Sequence, residues 1–132
     1  MNRRRLREQI FKLLFRIEFN SEEEMEEQCE LFFDDVDIVY EEKDEKFIKT
    51  KFDDIVAHLG EIDKIIEDNA KGWTIDRIGK VELTVIRLAI YEIRFDEEVP
   101  TQVAINEAVE LAKVFGPDKS SSFVNAVLAK LA

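Results

Sequence analysis

Apolar residues recur along this chain at the spacing of a helix rather than a strand. Leu6, Ile10, Leu13, Leu14 and Ile17 fall at i, i+4, i+7, i+8 and i+11, Met25, Cys29, Phe32 and Val36 repeat the pattern, and Ile48, Phe52, Ile55, Val56 and Leu59 do so again. Local punctuation agrees with these windows: Ser21 with Glu24 reads as a capping box, Gly60 as a residue just past a helix end, and Gly72 as the stop after Ile62, Ile65 and Ile66. The pattern predicts helices over 2–19, 21–37, 44–59, 61–71, 74–94, 101–115 and 118–131. In the fifth, Ile78, Val81, Val85, Ile86, Leu88, Ala89 and Ile90 cover more than one face, which marks a helix surrounded by others. Ala104, Ala108, Leu111, Ala112 and Phe115 give the sixth its buried stripe, ended by Gly116-Pro117, and Phe123, Val127, Leu128 and Leu131 anchor the seventh. Val36, Ile38 and Tyr40 alternate as a strand would, but Val39 spoils the alternation and acids flank it. The fold class expected is all-α.

At 132 residues with 45% apolar content, the chain is expected to be a single domain over 1–132, with helical halves of about 1–60 and 61–132. One Cys and one His leave no internal disulfide framework and no Cys/His zinc site, and they point to a reducing compartment. The longest uninterrupted apolar runs, such as Leu88 to Tyr91, are far short of the ~20 residues a spanning helix needs, so a cytoplasmic protein without membrane segments is expected.

A net charge of -11 argues against a polyanionic partner until the chain is divided. Residues 1–16 hold six bases (Arg3, Arg4, Arg5, Arg7, Lys12, Arg16) against one acid, whereas residues 17–46 hold fourteen acids and two bases. The basic cluster also sits at the wrong end of its helix. A cation in a first helical turn is disfavoured by about 0.3–1 kcal/mol, because the N-terminus already carries partial positive charge. Elsewhere the sequence respects that rule: Glu22, Glu23 and Glu24 open the second helix, and Lys71, Arg94, Lys113 and Lys130 lie near C-termini. Arginines crowded at a positive pole suit an incoming phosphate, which guanidinium forks bind bidentately. At about 100° per residue, Arg5, Lys12 and Arg16 fall on one side of the first helix, so the basic end continues as a stripe along which single-stranded RNA could lie. Two other readings stay open on the residues alone: pairing of the arginines with the acids of 22–46, and attraction to an acidic lipid surface.

Catalytic chemistry finds little footing. His58 has no Ser or Cys nucleophile near it in sequence, Cys29 falls in the apolar stripe of the second helix, and no Gly-rich phosphate loop can be built from Gly60, Gly72, Gly79 and Gly116. The run from Asp35 begins like a calcium loop but has Tyr40 where glycine is needed and Lys46 where a bidentate Glu is needed. No enzyme, metal site or cofactor is expected. Arg87, embedded in apolar company, requires a carboxylate partner such as Glu92 or Glu107, with Asn106 and Asn125 capping or bridging helices. Between Asp118 and Phe123, Asp118 or Ser120 can cap the seventh helix, while Lys119 and the hydroxyls of Ser120 to Ser122 offer donors to a phosphate and Phe123 a ring for a base.

Three motifs in order then resemble one family. Trp73…Arg77…Val81-Glu82…Ile86-Arg87-Leu88-Ala89-Ile90-Tyr91-Glu92-Ile93 is followed by Pro100-Thr101-Gln102-Val103-Ala104-Ile105-Asn106-Glu107-Ala108-Val109-Glu110-Leu111-Ala112-Lys113, and Phe123-Val124-Asn125-Ala126-Val127-Leu128 closes the series. This pattern, with the arginine-rich opening, is similar to the bacterial transcription antitermination factor NusB family. The resemblance implies seven helices arranged as a NusB-like pair of perpendicular three-helix bundles. It implies a non-enzymatic adaptor that binds boxA-type single-stranded RNA of ribosomal RNA leader transcripts together with NusE, the small-subunit ribosomal protein ten, within the RNA polymerase antitermination complex. By motif position, Arg3, Arg4, Arg5, Arg7, Lys12 and Arg16 correspond to RNA contacts, Lys119, Ser120 and Phe123 to further RNA contacts, and Glu82 to a NusE contact. Ala126 departs from the family's usual glycine. The alternative is a protein-interaction scaffold without RNA, or a homodimer in which the acid-rich second helix masks the arginines.

Overall fold

The computed structural model describes residues 1–132 and contains seven α-helices and no strand. The helices fall into two units, Met1–Val56 and Ala57–Ala132.

The first unit holds α1 (Arg3–Phe15), α2 (Met25–Phe33) and α3 (Glu42–Ala57), the last reaching the boundary. Helix α1 buries Gln9, Ile10, Phe11, Leu13 and Leu14 and runs on into a 3-10 turn over Arg16–Glu18. Met25, Cys29 and Phe32 of α2 and Ile48, Phe52 and Ile55 of α3 complete the apolar interior of this unit. Polar bonds join the elements: the buried Gln9 accepts from the Tyr40 hydroxyl at 2.6 Å, and the Met1 amino group pairs with the buried Asp44 at 3.0 Å. Burial, reinforced by the Asp35 charge, pushes the Tyr40 phenol above its ordinary pKa.

Helix α2 is much shorter than the periodicity predicts, and both shortfalls have a local cause. At its start, the Ser21–Glu24 capping box forms (Ser21 N–H to Glu24 Oε1 2.8 Å, Glu24 N–H to Ser21 Oγ 3.3 Å), but it closes a turn ahead of the helix. Hydrogen bonding from the Ser21 backbone N–H, and secondarily from its side chain, holds the Glu24 carboxyl below its ordinary pKa. At its end, the Asp35 carboxylate takes the Asp37 N–H at 2.8 Å, a side-chain bond that competes with the helical ladder. Val36, expected in the apolar stripe, is consequently 94% exposed, as is Val39 at 91%.

The second unit holds α4 (Leu59–Asn69), α5 (Lys80–Phe95), α6 (Thr101–Phe115) and α7 (Ser120–Ala129). Every residue of α5 from Leu83 to Glu92 is buried, as its two-sided apolar pattern requires, and the helix packs against α4, α6 and α7. It starts later than expected. Ile75–Arg77 form a separate 3-10 turn, and the extended backbone of Ile78 (ψ 136°) and Gly79 (ψ 147°) interrupts the ladder, so the helix restarts at Lys80. Gly60 lies inside the first turn of α4 rather than past a helix end, whereas Gly72 does adopt the left-handed conformation (φ 85°) in the turn after α4.

Arg87 has a carboxylate partner on α4. Its Nε and Nη2 donate to Asp63 Oδ1 and Oδ2 of α4, each at 2.9 Å, a bidentate pair that fastens α4 to α5. Asn106 is exposed and accepts from Gln102 on its own helix instead of bridging, and Asn125 is exposed as well. No helix is long and apolar enough to cross a membrane.

Two substitutions separate core from surface by urea denaturation of the full chain. Ile86→Ala, at a position with no exposure, is expected to lower the unfolding free energy by about 2–5 kcal/mol through cavity creation. Val36→Ala should change it by less than about 0.5 kcal/mol despite the periodic position of the valine.

Candidate nucleic-acid interface

Two groups of sequence-predicted residues are positioned by helix ends, one group in each unit. In the first unit the buried stripe of α1 orients the helix, leaving Arg3, Arg4 and Arg5 exposed in its first turn, Lys12 exposed further along and Arg7 half-buried. The N-cap is sound, since Asn2 Oδ1 accepts the Arg5 N–H at 2.8 Å, yet no acid stands in that turn to offset the arginines. The result is a helix start with side-chain cations held in solvent where the backbone itself favours an anion.

Arg16 behaves differently from the others. It is half-buried, its Nη1 donates to both the backbone carbonyl and the Oε1 of Gln28 at 3.1 Å, and its guanidinium lies 5.1 Å from the Phe32 ring centroid. The helical-wheel position that suggested continuation of the stripe is used to join the end of α1 to α2.

In the second unit, Lys119 is the exposed N-cap residue of α7 and makes no side-chain cap. Asp118 and Ser120 do not cap either. Ser120 is 2% exposed, and its hydroxyl donates to Glu82 Oε1, which corrects the expectation of a hydroxyl open to an incoming phosphate. The physical reason is close packing: a Cβ at Gly116 would stand 2.6 Å from Ser120 Oγ and 2.9 Å from the Ala112 carbonyl, so the α6 to α7 turn presses Ser120 inward. Glu82, half-buried in the first turn of α5 where the helix dipole favours an acid, receives that bond. The residues expected to touch RNA and NusE separately are thus bonded to one another.

Phe123, half-buried, meets a residue to which no role was assigned from sequence. The Trp73 ring stands 5.7 Å from it at an interplanar angle of 71°, and Trp73 is 49% exposed. The signal available in the sequence was the Trp itself, an aromatic directly after the left-handed Gly72 and outside any apolar stripe.

The remaining chemically versatile side chains serve packing. His58 precedes α4 and lies against Phe95 with ring centroids 4.2 Å apart. Cys29 is buried, and desolvation raises its thiol pKa, the reverse of what a nucleophile requires. It borders an open cleft of about 540 Å³ beside Phe33, Lys46 and Lys49, rimmed by Glu26 and Glu30.

The NusB family model matches residues 4–132. The transcription antitermination protein NusB of Lachnoclostridium phytofermentans is 50% identical over 131 residues, spanning 99% of this chain and 98% of that protein. Among solved structures, T. maritima NusB superimposes with a TM-score of 0.89 at 35% identity, covering 100% of this chain and 91% of the other. A crystal structure of the antitermination factors NusB and NusE in complex with dsRNA contains a chain that matches with a TM-score of 0.83 at 29% identity, covering 99% of this chain and 97% of that one.

The buried hydroxyl gives a prediction of its own. Ser120→Ala should cost about 1–3 kcal/mol, because it takes a donor from a half-buried carboxylate. Thermal unfolding followed by circular dichroism checks this, and an unchanged melting temperature would show that the Glu82 bond contributes nothing.

Proposed function

Because the chain belongs to the NusB family, we propose that it is a transcription antitermination factor that binds boxA-type single-stranded RNA of ribosomal RNA leader transcripts together with NusE and so helps RNA polymerase resist termination. The observation that carries this reading is the exposed Arg3, Arg4 and Arg5 in the capped, acid-free first turn of α1. A structural relative that occurs with NusE and dsRNA supports the part of it that concerns NusE and RNA.

In this reading Arg3, Arg4, Arg5, Arg7 and Lys12 contact phosphates, and Arg16 orients α1 through Gln28 and Phe32. Lys119 adds a cation from the start of α7, Phe123 adds a ring, and Ser120 acts indirectly by fixing the first turn of that helix. Glu82 marks the end of α5 at which NusE docks. A single strand is favoured over a long duplex because a net charge of -11 repels an extended polyanion while a short strand can meet the basic turn alone. The protein works in the cytoplasm, where transcripts emerge, and no catalytic step is assigned to it.

Fluorescence anisotropy with a labelled boxA-type strand, with and without cognate NusE, tests the reading. With ~5 phosphates neutralised, log K should fall against log salt with a slope of roughly -3 to -4. Replacing Arg3, Arg4 and Arg5 together by Ala should reduce the steepness by about 2 and weaken binding at least ~10-fold. The melting temperature should stay level or rise, since three dipole-opposed cations leave. A salt-independent affinity, or a triple variant that binds as the parent does, would remove the function.

A further inference from the structure

Trp73 opens the first of the three motifs, yet neither the core nor the RNA reading above employs it. It is the chain's one tryptophan, and it keeps 49% of its surface in water although an indole is among the most favourable side chains to bury. Its ring is nevertheless not loose. The backbone N–H of Trp73 donates to the Ala70 carbonyl at 3.0 Å, which fixes the main chain beneath the ring, and Gly72 turns the chain through its left-handed conformation. Lys130, the residue just past α7, donates to the Asn69 carbonyl at the end of α4 at 2.9 Å, tying this turn to the end of the helix that carries Phe123. Phe123 then meets the indole in a T-shaped contact at 5.7 Å, an arrangement that leaves part of the larger ring uncovered.

The chain segments that carry the two rings hold more cations than acids. Residues 71–80 contain Lys71, Arg77 and Lys80 against Asp76 alone, all four exposed, and Lys119, exposed beside an exposed Asp118, lies four residues before Phe123. A rigid, half-exposed aromatic ring among lysines and arginines is the combination by which proteins hold unpaired bases, stacking supplying the contact and the cations meeting the backbone. A ring already fixed by its neighbours loses little conformational entropy when a base arrives.

We propose that Trp73 is a base-stacking residue of this protein: an unpaired nucleobase lies on its exposed face while Phe123 braces the ring from the side. The inference rests on the RNA-binding reading and extends it to a residue that reading does not contain, giving the stacking face to Trp73 and a bracing role to Phe123.

One titration tests both and tells their failures apart. A boxA-type single-stranded oligoribonucleotide labelled at one end is added to the full-length chain with cognate NusE. RNA anisotropy and tryptophan emission are read together, with the Trp73→Phe chain plus NusE as the emission background. Emission should be quenched along the same isotherm as the anisotropy change. Trp73→Ala should weaken binding about 5- to 150-fold, the range for replacing one stacking aromatic by alanine, whereas Trp73→Phe should stay within ~3-fold of the parent. If Trp73→Ala proves unfolded by circular dichroism, protection of the parent's indole from iodide by RNA decides in its place. Anisotropy that rises while emission and iodide access stay constant, or a folded Trp73→Ala chain that binds as the parent does, overturns the stacking role and leaves the RNA reading intact. No anisotropy change at all overturns both.

Discussion

A helix start is electrically positive before any side chain is added, and α1 places Arg3, Arg4 and Arg5 there without an acid among them. Such an arrangement persists only if something else holds the helix. In α1 that role falls to the opposite face: Ile10, Phe11, Leu13 and Leu14 are 5% exposed or less, Gln9 is bonded by Tyr40, and Asn2 caps the first turn. Burying four large side chains contributes several kcal/mol, at ~1.5–3 kcal/mol each, against a dipole penalty of ~0.3–1 kcal/mol per exposed arginine. Packing therefore wins by a wide margin. The three arginines can stay exposed at the positive pole of the helix without unseating it.

That division of labour explains which parts of the fold were legible in the sequence. Where burial decides, periodicity suffices: the stripes of α1, α3, α6 and α7 and the two-sided pattern of α5 identify the helices that form. Where a single side chain or dihedral decides, periodicity fails. Val36 sits at the right interval after Phe32, but one Asp35 to Asp37 bond ends the helix first and leaves the valine in water. The start of α5 was misplaced for a similar reason, since Ile75 and Ile78 continue the apolar interval across a backbone that turns extended at Ile78 and Gly79.

The interface was legible in composition and less so in partnership. Residue type and helix position identified the arginines, because a violated dipole rule is visible in one dimension. Arg16 has the same type and the same wheel angle, yet Gln28 and Phe32 claim it, and neither is near it in sequence. Likewise Arg87 needed an acid, and two plausible ones lay close by in the chain, but the bidentate pair forms with Asp63 on another helix. Such choices depend on which surfaces meet.

Ser120 carries the same lesson into function. A serine near a helix start suggests an open hydroxyl, but Gly116 lets the preceding turn approach so closely that the hydroxyl faces Glu82 instead. That inward bond, with Val124, Val127 and Leu128 buried on the same helix, fixes the rotation of α7 about its axis. Rotation in turn determines what the other side of the helix presents. Phe123 comes to rest against Trp73, Lys119 points its cation to solvent, and Ala126 falls on an exposed position. There the alanine lacks the entropic cost of a mid-helix glycine, ~1 kcal/mol, and buries nothing. A residue with no free donor can thus still set the angle at which its neighbours on the helix stand.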